Sequence, residues 1–274
     1  MKVSMIVATL NREAELLKLL ESIENLDYDK SKIEVIIVNQ GDNSLREKIF
    51  KFKNLNLKYY KTNILGLSKN RNFGLNKATG QIICFPDDDC EFKKETLKEV
   101  VNIFQKNKNL NVILGKIVDE KGNNCIRNWG KEKEKITKYN FYRKTTSITM
   151  FLKNEKYYFD EELGVGEKFG SCEDSDYIFR LLKLNKNIEY RPEVILYHPN
   201  PKGKVSLNKA YSYGMGFGAF CKKNWCLEIA ILFIFSINFY ILKCLQYFFI
   251  NKELFFVTKN GMKGKIQGFL SYKN

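Results

Sequence analysis

The stretch that most constrains this chain is Gln81-Ile82-Ile83-Cys84-Phe85-Pro86-Asp87-Asp88-Asp89-Cys90. Its first half is a short apolar run with the character of a strand buried on both faces of a parallel sheet. Its second half sets three carboxylates at that strand's carboxyl end. Asp is a poor strand former, and three adjacent negative charges repel one another unless a cation neutralises them. In extended backbone, residues two apart share a face, which would turn Asp87 and Asp89 one way and Asp88 the other. Two hard oxygen donors facing a crevice suit Mg²⁺ or Mn²⁺, and such an ion would in turn hold a diphosphate. The competing reading is an acidic turn ahead of a helix starting near Lys93, with Asp89 or Glu91 as its cap.

The segments before this one alternate in type. Residues 3–8 read as a strand, and Glu13 to Ile23 carries apolar residues at 16, 17, 19, 20 and 23, a helical period. Ile33 to Val38 is a second apolar strand, followed by loop chemistry over 39–44 that suits a helix cap. Leu57 to Tyr60 reads as a short strand and Ser68 to Lys77 as a helix ending near Gly80. Strands alternating with helices predict an α/β fold with a mostly parallel, Rossmann-like sheet and right-handed crossovers, whose ligands bind beyond the strands' carboxyl ends. Three loops then meet at that edge: Thr9 to Arg12, Asn39 to Asp42, and the triple Asp.

Further along, a helix near Lys93–Gln105 and a strand over Asn111–Val118 precede a Lys-rich stretch, 119–138, that reads as an excursion over the site. Residues 145–152 are mixed in character. Gly164 to Asp176 contains three glycines and an acidic cluster that opens a helix with Tyr177, Ile178, Leu181 and Leu182 on its apolar side. Acids in a first helical turn also serve the helix dipole, so the cluster has a structural reading beside the chemical one. Ile188 to Tyr190 and Val194 to Tyr197 complete the sheet, followed by His198-Pro199.

Composition narrows the class. A chain of 274 residues with 44% hydrophobic and 28% charged residues belongs with globular proteins. The net charge of +15 comes mostly from scattered lysines, with Arg at only seven positions. Such charge suits anionic lipid head groups or polyanionic substrates, whereas no compact basic helix or zinc spacing points to nucleic acid. The seven cysteines contain no Cys-x-x-Cys pair, and His198 is the single histidine, which argues against a zinc site. An odd count and a first strand without a cleavage site point to reduced thiols in the cytoplasm.

Character changes near residue 200, which sets the expected boundary between a catalytic domain (1–200) and a carboxyl-terminal helical region (201–274). Tyr211 to Gly218 is rich in glycine and aromatics, suiting a close-packed helix or a bend. Ile229 to Leu242 carries no charge, Lys243 interrupts it, and Cys244 to Ile250 resumes. Runs of this length are more often buried, re-entrant or interfacial than spanning. Lysines on both sides (222 and 223; 252, 259, 263 and 265) keep both ends cytoplasmic by the positive-inside rule. An interfacial or re-entrant segment at the inner membrane face is expected, with burial against the catalytic domain as the alternative.

Taken in order, these motifs make the chain similar to inverting glycosyltransferases of family 2, which have the GT-A fold. The resemblance rests on Val3 to Arg12, Gly66 to Gly74 ahead of Gly80, the Asp-x-Asp at Asp87 and Asp89, Glu173-Asp174, and the late His198. The tail resembles bacterial members that build surface or extracellular polysaccharide. The resemblance implies Thr9, Asn11 and Arg12 along the nucleotide, Arg71 near its diphosphate, and Asp87 and Asp88 on the ribose side. It implies Asp89, with Asp87 and His198, as ligands of Mn²⁺ or Mg²⁺, and Asp174 as general base with Glu173 beside it. Family members usually carry an acid where this chain has Asn39, at the position that accepts uracil N3–H. An Asn carbonyl can accept the same bond, while its amide also donates. The implied donor is a uridine or thymidine diphosphate sugar, and the implied acceptor a glycan or lipid-linked hydroxyl. A nucleotidyltransferase would share this sheet edge but needs a Gly-rich basic loop after the first strand, and a non-catalytic membrane scaffold would leave Asp87, Asp89 and Asp174 without a purpose.

Overall fold

The computed structural model describes residues 1–41, 45–200 and 203–273; Asp42, in one of the expected edge loops, lies outside them. The chain divides into two compact units. The first is Met1–Leu65, Lys69–Tyr158 and Ile178–Pro201; the second is Gly66–Ser68, Phe159–Tyr177 and Lys202–Asn274.

In chain order the elements begin with β1 (Val3–Thr9), α1 (Glu13–Glu24), β2 (Ile33–Asn39), α2 (Arg46–Ile49), β3 (Asn56–Lys61) and α3 (Leu67–Lys77). Next come β4 (Ile82–Cys84), β5 (Glu91–Phe92), α4 (Thr96–Lys106), β6 (Val112–Val118), β7 (Glu134–Lys135) and α5 (Phe141–Lys144). The rest are β8 (Met150–Lys153), α6 (Glu173–Lys183), β9 (Ile188–Tyr197), α7 (Leu207–Lys223), α8 (Leu227–Ile250) and α9 (Lys252–Ser271).

The first unit is built on a nine-stranded sheet in the order β3-β2-β1-β4-β8-β6-β9-β5, with β7 paired to β9. β1 lies parallel between β2 and β4, with Thr9 level with Asn39. β1 and β2 are buried along their whole lengths, which is why they read as continuous apolar runs. α1 buries Leu16, Leu19, Leu20 and Ile23, the stripe its periodicity marked.

The expected α/β class holds, and the sheet is mixed. β8 runs antiparallel between β4 and β6, and β5 and β7 are antiparallel to β9. The two apolar runs at 188–190 and 194–197 form one strand, whose register shifts opposite Leu114 and Lys116. The 119–138 stretch is anchored from beneath: Trp129 is wholly buried, its indole N–H donates to the Cys125 carbonyl, and Tyr190 donates to the Gly130 carbonyl.

One charged residue sits inside β2. The Glu34 side chain is wholly buried and accepts from the Ser4 hydroxyl, the Thr79 N–H and hydroxyl, the Gly80 N–H, and the Lys58 ammonium at 2.8 Å. It lies at the amino-terminal end of its strand, away from the edge where the loops gather.

In the second unit, α7 and α9 cross at backbone contact. A Cβ at Gly218 would lie 2.0 Å from the Lys265 carbonyl oxygen, and one at Gly268 would lie 2.1 Å from that of Met215. Only glycine permits that approach. The Tyr211–Gly218 stretch is therefore helical. α8 is a single 24-residue helix that continues through Lys243, where a charge breaks the apolar run.

Candidate active site

The site forms where β1, β2 and β4 end side by side. Parallel pairing through β1 brings the loop after Thr9 next to the triple Asp, 75 or more residues later in sequence. The Thr9 hydroxyl donates to Asp88 at 2.8 Å. Arg12 forks, giving one N–H to Asp88 at 2.9 Å and another to Asp89 at 2.7 Å. Arg71, almost wholly buried on α3, donates to Asp87 at 2.7 Å and to the Ser147 hydroxyl at 2.9 Å. His198 brings Nε2 to within 3.3 Å of Asp89 from the end of β9.

The triple Asp is not extended, as the sequence reading had it. The Cys90 N–H donates to the Asp87 carbonyl, closing a turn. Asp88 and Asp89 consequently share Arg12, and Asp87 turns to Arg71. A turn wins because each carboxylate then gains its own cation or hydroxyl, which no single strand face could offer. The alternative reading as a helix cap also fails, since α4 begins only at Thr96, after Glu95.

Electrostatics separate Asp88 from Asp89. Burial would raise Asp89, yet His198 and Arg12 together hold its carboxyl down at about 2. Burial dominates at Asp88, which rises to about 6 despite the Thr9 hydroxyl and Arg12. Burial works against protonation of His198, but the facing Asp89 carboxylate raises its pKa overall. The Nδ1 of His198 donates to the Pro199 carbonyl at 2.7 Å, which leaves Nε2 as the outward nitrogen.

The donor set suits a hard dication. A carbonyl that accepts from Nδ1–H fixes the ring so that Nε2 can ligate, and Asp89 adds a carboxylate beside it. Among the described residues no three His, Cys, Asp or Glu side chains are grouped as a ready metal cage. Mg²⁺ and Mn²⁺ sites of this kind draw on one or two protein ligands plus substrate phosphates, so the pair fits. A cleft beside Asp89 and His198 is lined by Glu15, Lys18, Glu91, Glu120 and Tyr197.

The other expected residues take their own places. Asn11 adopts a left-handed backbone, φ 54°, and its side chain abuts Gly41, where a Cβ would lie 2.2 Å from its Oδ1. Asn39 is buried; its Oδ1 accepts from the Gly41 N–H at 2.8 Å and its amide donates to the Tyr59 hydroxyl. Glu173 and Asp174 lie in the second unit, in the first turn of α6. Glu173 is buried, while Asp174 is half-buried and accepts from the Ser175 N–H. Asp176, grouped with them in sequence, is wholly buried and bonded to Asn224 at 2.8 Å and Lys223 at 2.9 Å, a structural role.

One participant gave no sequence signal, and another stood in a quoted motif without a role. Ser147 gave no signal, because nothing local marks a serine that meets an arginine from another element. Asn70 was visible inside Lys69-Asn70-Arg71; it accepts from Thr62 and donates to Gln40 and to the Ile64 carbonyl, tying α3 to the neighbouring loops.

Known proteins resemble this chain in sequence and in fold. A family model described as glycosyl transferase family 2 matches residues 4–160. The poly(ribitol-phosphate) beta-N-acetylglucosaminyltransferase TarS of Staphylococcus aureus is 33% identical over 178 residues, 61% of this chain and 31% of that protein. A GalNAc(5)-diNAcBac-PP-undecaprenol beta-1,3-glucosyltransferase of Campylobacter jejuni is 31% identical over 144 residues, 49% of this chain and 44% of that protein. The matched segments thus span about a third to under a half of these relatives. The crystal structure of S. aureus TarS 1-349 in complex with UDP-GlcNAc superposes with a TM-score of 0.63 at 21% identity, covering 99% of this chain and 91% of that one. The mannosyltransferase PcManGT from Pyrobaculum calidifontis, in complex with GDP-Man and Mn2+, gives 0.65 at 14% identity, covering 100% and 88%. These likenesses establish the GT-A fold, and with the family model matched across more than half of its length, from the first strand through the triple Asp, the chain belongs to glycosyl transferase family 2.

Proposed function

We propose that this chain is a metal-dependent, inverting glycosyltransferase. In this reading it moves a sugar from a nucleoside-diphosphate sugar to a hydroxyl of a glycan or lipid-linked acceptor, in polysaccharide or glycoconjugate biosynthesis. The carrying observation is the convergence of Thr9, Arg12, Asp88, Asp89 and His198 at the carboxyl ends of β1 and β4, with Arg71 on Asp87. Residues 1–200 are proposed as the catalytic domain and 201–274 as an extension that holds it at the cytoplasmic membrane face.

Thr9, Asn11 and Arg12 would line the nucleotide, Arg71 its diphosphate, and Asp87 and Asp88 the ribose side. A uridine nucleotide is favoured by the UDP-GlcNAc bound to TarS, and dTDP remains the second choice. Asn39 would meet the base with whatever capacity its Oδ1 retains beyond the Gly41 N–H. Asp89 and His198, with Asp87, would hold Mn²⁺ or Mg²⁺, as the Mn2+ complex of PcManGT encourages. The ion, when bound, supplies neutralising charge for the departing nucleoside diphosphate. Asp174, with Glu173 beside it, would take the proton from the acceptor hydroxyl as its oxygen attacks the anomeric carbon. Attack opposite the leaving group inverts that carbon.

Thermal shift against a panel of nucleotide sugars with and without Mn²⁺ tests this directly. Stabilisation by a UDP-sugar should require the metal and disappear in Asp89→Ala while the fold persists. An Asp89→Ala protein that transfers sugar at the wild-type rate without metal would overturn the assignment.

A further inference from the structure

Folding of the second unit leaves one apolar face uncovered. α8 is long and apolar enough to cross a membrane, and almost none of it is buried. Its inner side packs on α9 along the full length: Phe233 against Phe269 at 4.8 Å, Tyr240 against Gly261, and Phe248 against Phe255 at 5.5 Å. Its outer side presents Ile234, Phe235, Phe239, Leu242, Leu245 and Phe249, with Phe235 71% and Phe249 85% exposed. Asn238 and Gln246 are the polar residues exposed along this stretch, whereas a water-soluble helix would carry mostly polar residues there.

We infer that this outer face seats on an anionic lipid bilayer with the α8–α9 pair lying in the plane of the interface and not crossing it. The inference rests on the membrane reading above and fixes its geometry. At 1.5 Å per residue, α8 reaches ~36 Å, enough to traverse the hydrocarbon. Its partner forbids that. Only Asn251 separates the end of α8 from the start of α9, which runs back beside it, so a crossing would carry the exposed Lys252, Lys259 and Lys263 through the bilayer as well. Lys243 would go with them, donating to the Gln246 amide oxygen and lying over the Phe239 and Tyr247 rings. Such charges are costly in hydrocarbon but favourable at head-group level.

The same charges choose lipid over a second copy of the chain. On α9, exposed Leu254, Phe256, Ile266 and Leu270 interleave with Lys259 and Lys263, while Glu253 is already paired with Lys204. A second copy would bring matching positive charge to this face, whereas anionic head groups complement it and the lysine stems can snorkel.

The test uses the full chain with Trp225→Phe, which leaves buried Trp129 as a silent reference. Single Trp replacements at Ile231, Phe239 and Phe249 then report depth by quenching from lipids brominated either high on the acyl chain or near its end. In-plane seating predicts equal quenching at all three sites, stronger from the shallow bromines. Binding should be at least ~10-fold tighter to vesicles with phosphatidylglycerol than to pure phosphatidylcholine, and weaken with salt. Phe239→Glu with Leu242→Glu should abolish binding without unfolding the protein. Deep quenching at residue 239 with shallow ends would overturn the in-plane geometry while sparing membrane attachment. No quenching at any site would overturn both. A sedimenting dimer dispersed by the same double variant, without vesicle binding, would assign the face to a second copy. Sugar transfer is not a readout, so the transferase reading stands or falls separately.

Discussion

Glu34→Gln isolates the buried carboxylate at the start of β2, away from the nucleotide edge. Burial alone would raise its pKa, but the Lys58 ammonium, the Ser4 hydroxyl and the Thr79 N–H overcome this and lower it from 4.5 to about 2. At about 1.4 kcal/mol per pKa unit, the ionised form contributes about 3 kcal/mol to stability. Because the folded pKa is depressed, that contribution is complete above the unfolded value near 4.5 and is lost as pH falls towards 2. Glutamine keeps the shape, and its carbonyl can still accept from Ser4, Thr79 and Gly80. Its amide then faces Lys58, donor against donor, and Lys58 is exposed enough to swing into water. Urea unfolding of both proteins across pH should show a gap of about 3 kcal/mol at pH 7 that narrows below about 4.5. A gap under about 1 kcal/mol at pH 7, or one unchanged at acid pH, would refute the reasoning.

Two further outcomes are expected. Asp174→Asn should lower transfer by ~10²–10⁴-fold with little change in donor affinity, and wild-type product should carry the anomeric configuration opposite to the donor's; normal transfer by the variant or a retained configuration moves the base elsewhere. Gly218→Val should destabilise the second unit by about 1–3 kcal/mol, because its Cβ meets the Lys265 backbone oxygen, which cannot step aside; an unchanged melting temperature would show that the α7–α9 crossing tolerates separation.

The edge of the sheet was legible because its cause is local. Continuous apolar runs declare doubly buried strands, and loops at their carboxyl ends fall together once the strands pair in parallel. β8 was not legible: Thr145 to Leu152 lacks a clean period, and the slot between β4 and β6 makes it a strand. Glu34 passed unnoticed inside an apolar run, since its donors come from three other segments. Asp174 and Asp176 look alike in sequence, yet a helix turns residues two apart to nearly opposite sides. One is half-exposed; the other is buried against Asn224 and Lys223.

The triple Asp shows how crowded charge is distributed at one turn. Three carboxylates at one turn are met by two guanidinium cations and an imidazole, with Arg71 on Asp87, Arg12 on Asp88 and Asp89, and His198 beside Asp89. These cations are not equivalent. Arg71 is 2% exposed and also donates to Ser147, so its position beside Asp87 is tightly fixed. Arg12 is 43% exposed and reaches its two acids from the end of a loop, free to exchange them for another anion. Under the proposed function that partner is the nucleotide, which Arg12 lines. An Arg12 drawn to it leaves Asp89 with a lone pair open beside Nε2 of His198. A dication accompanying the donor would restore the balance there, so the resting ion pairs spare three crowded carboxylates their mutual repulsion without locking the site against its substrate.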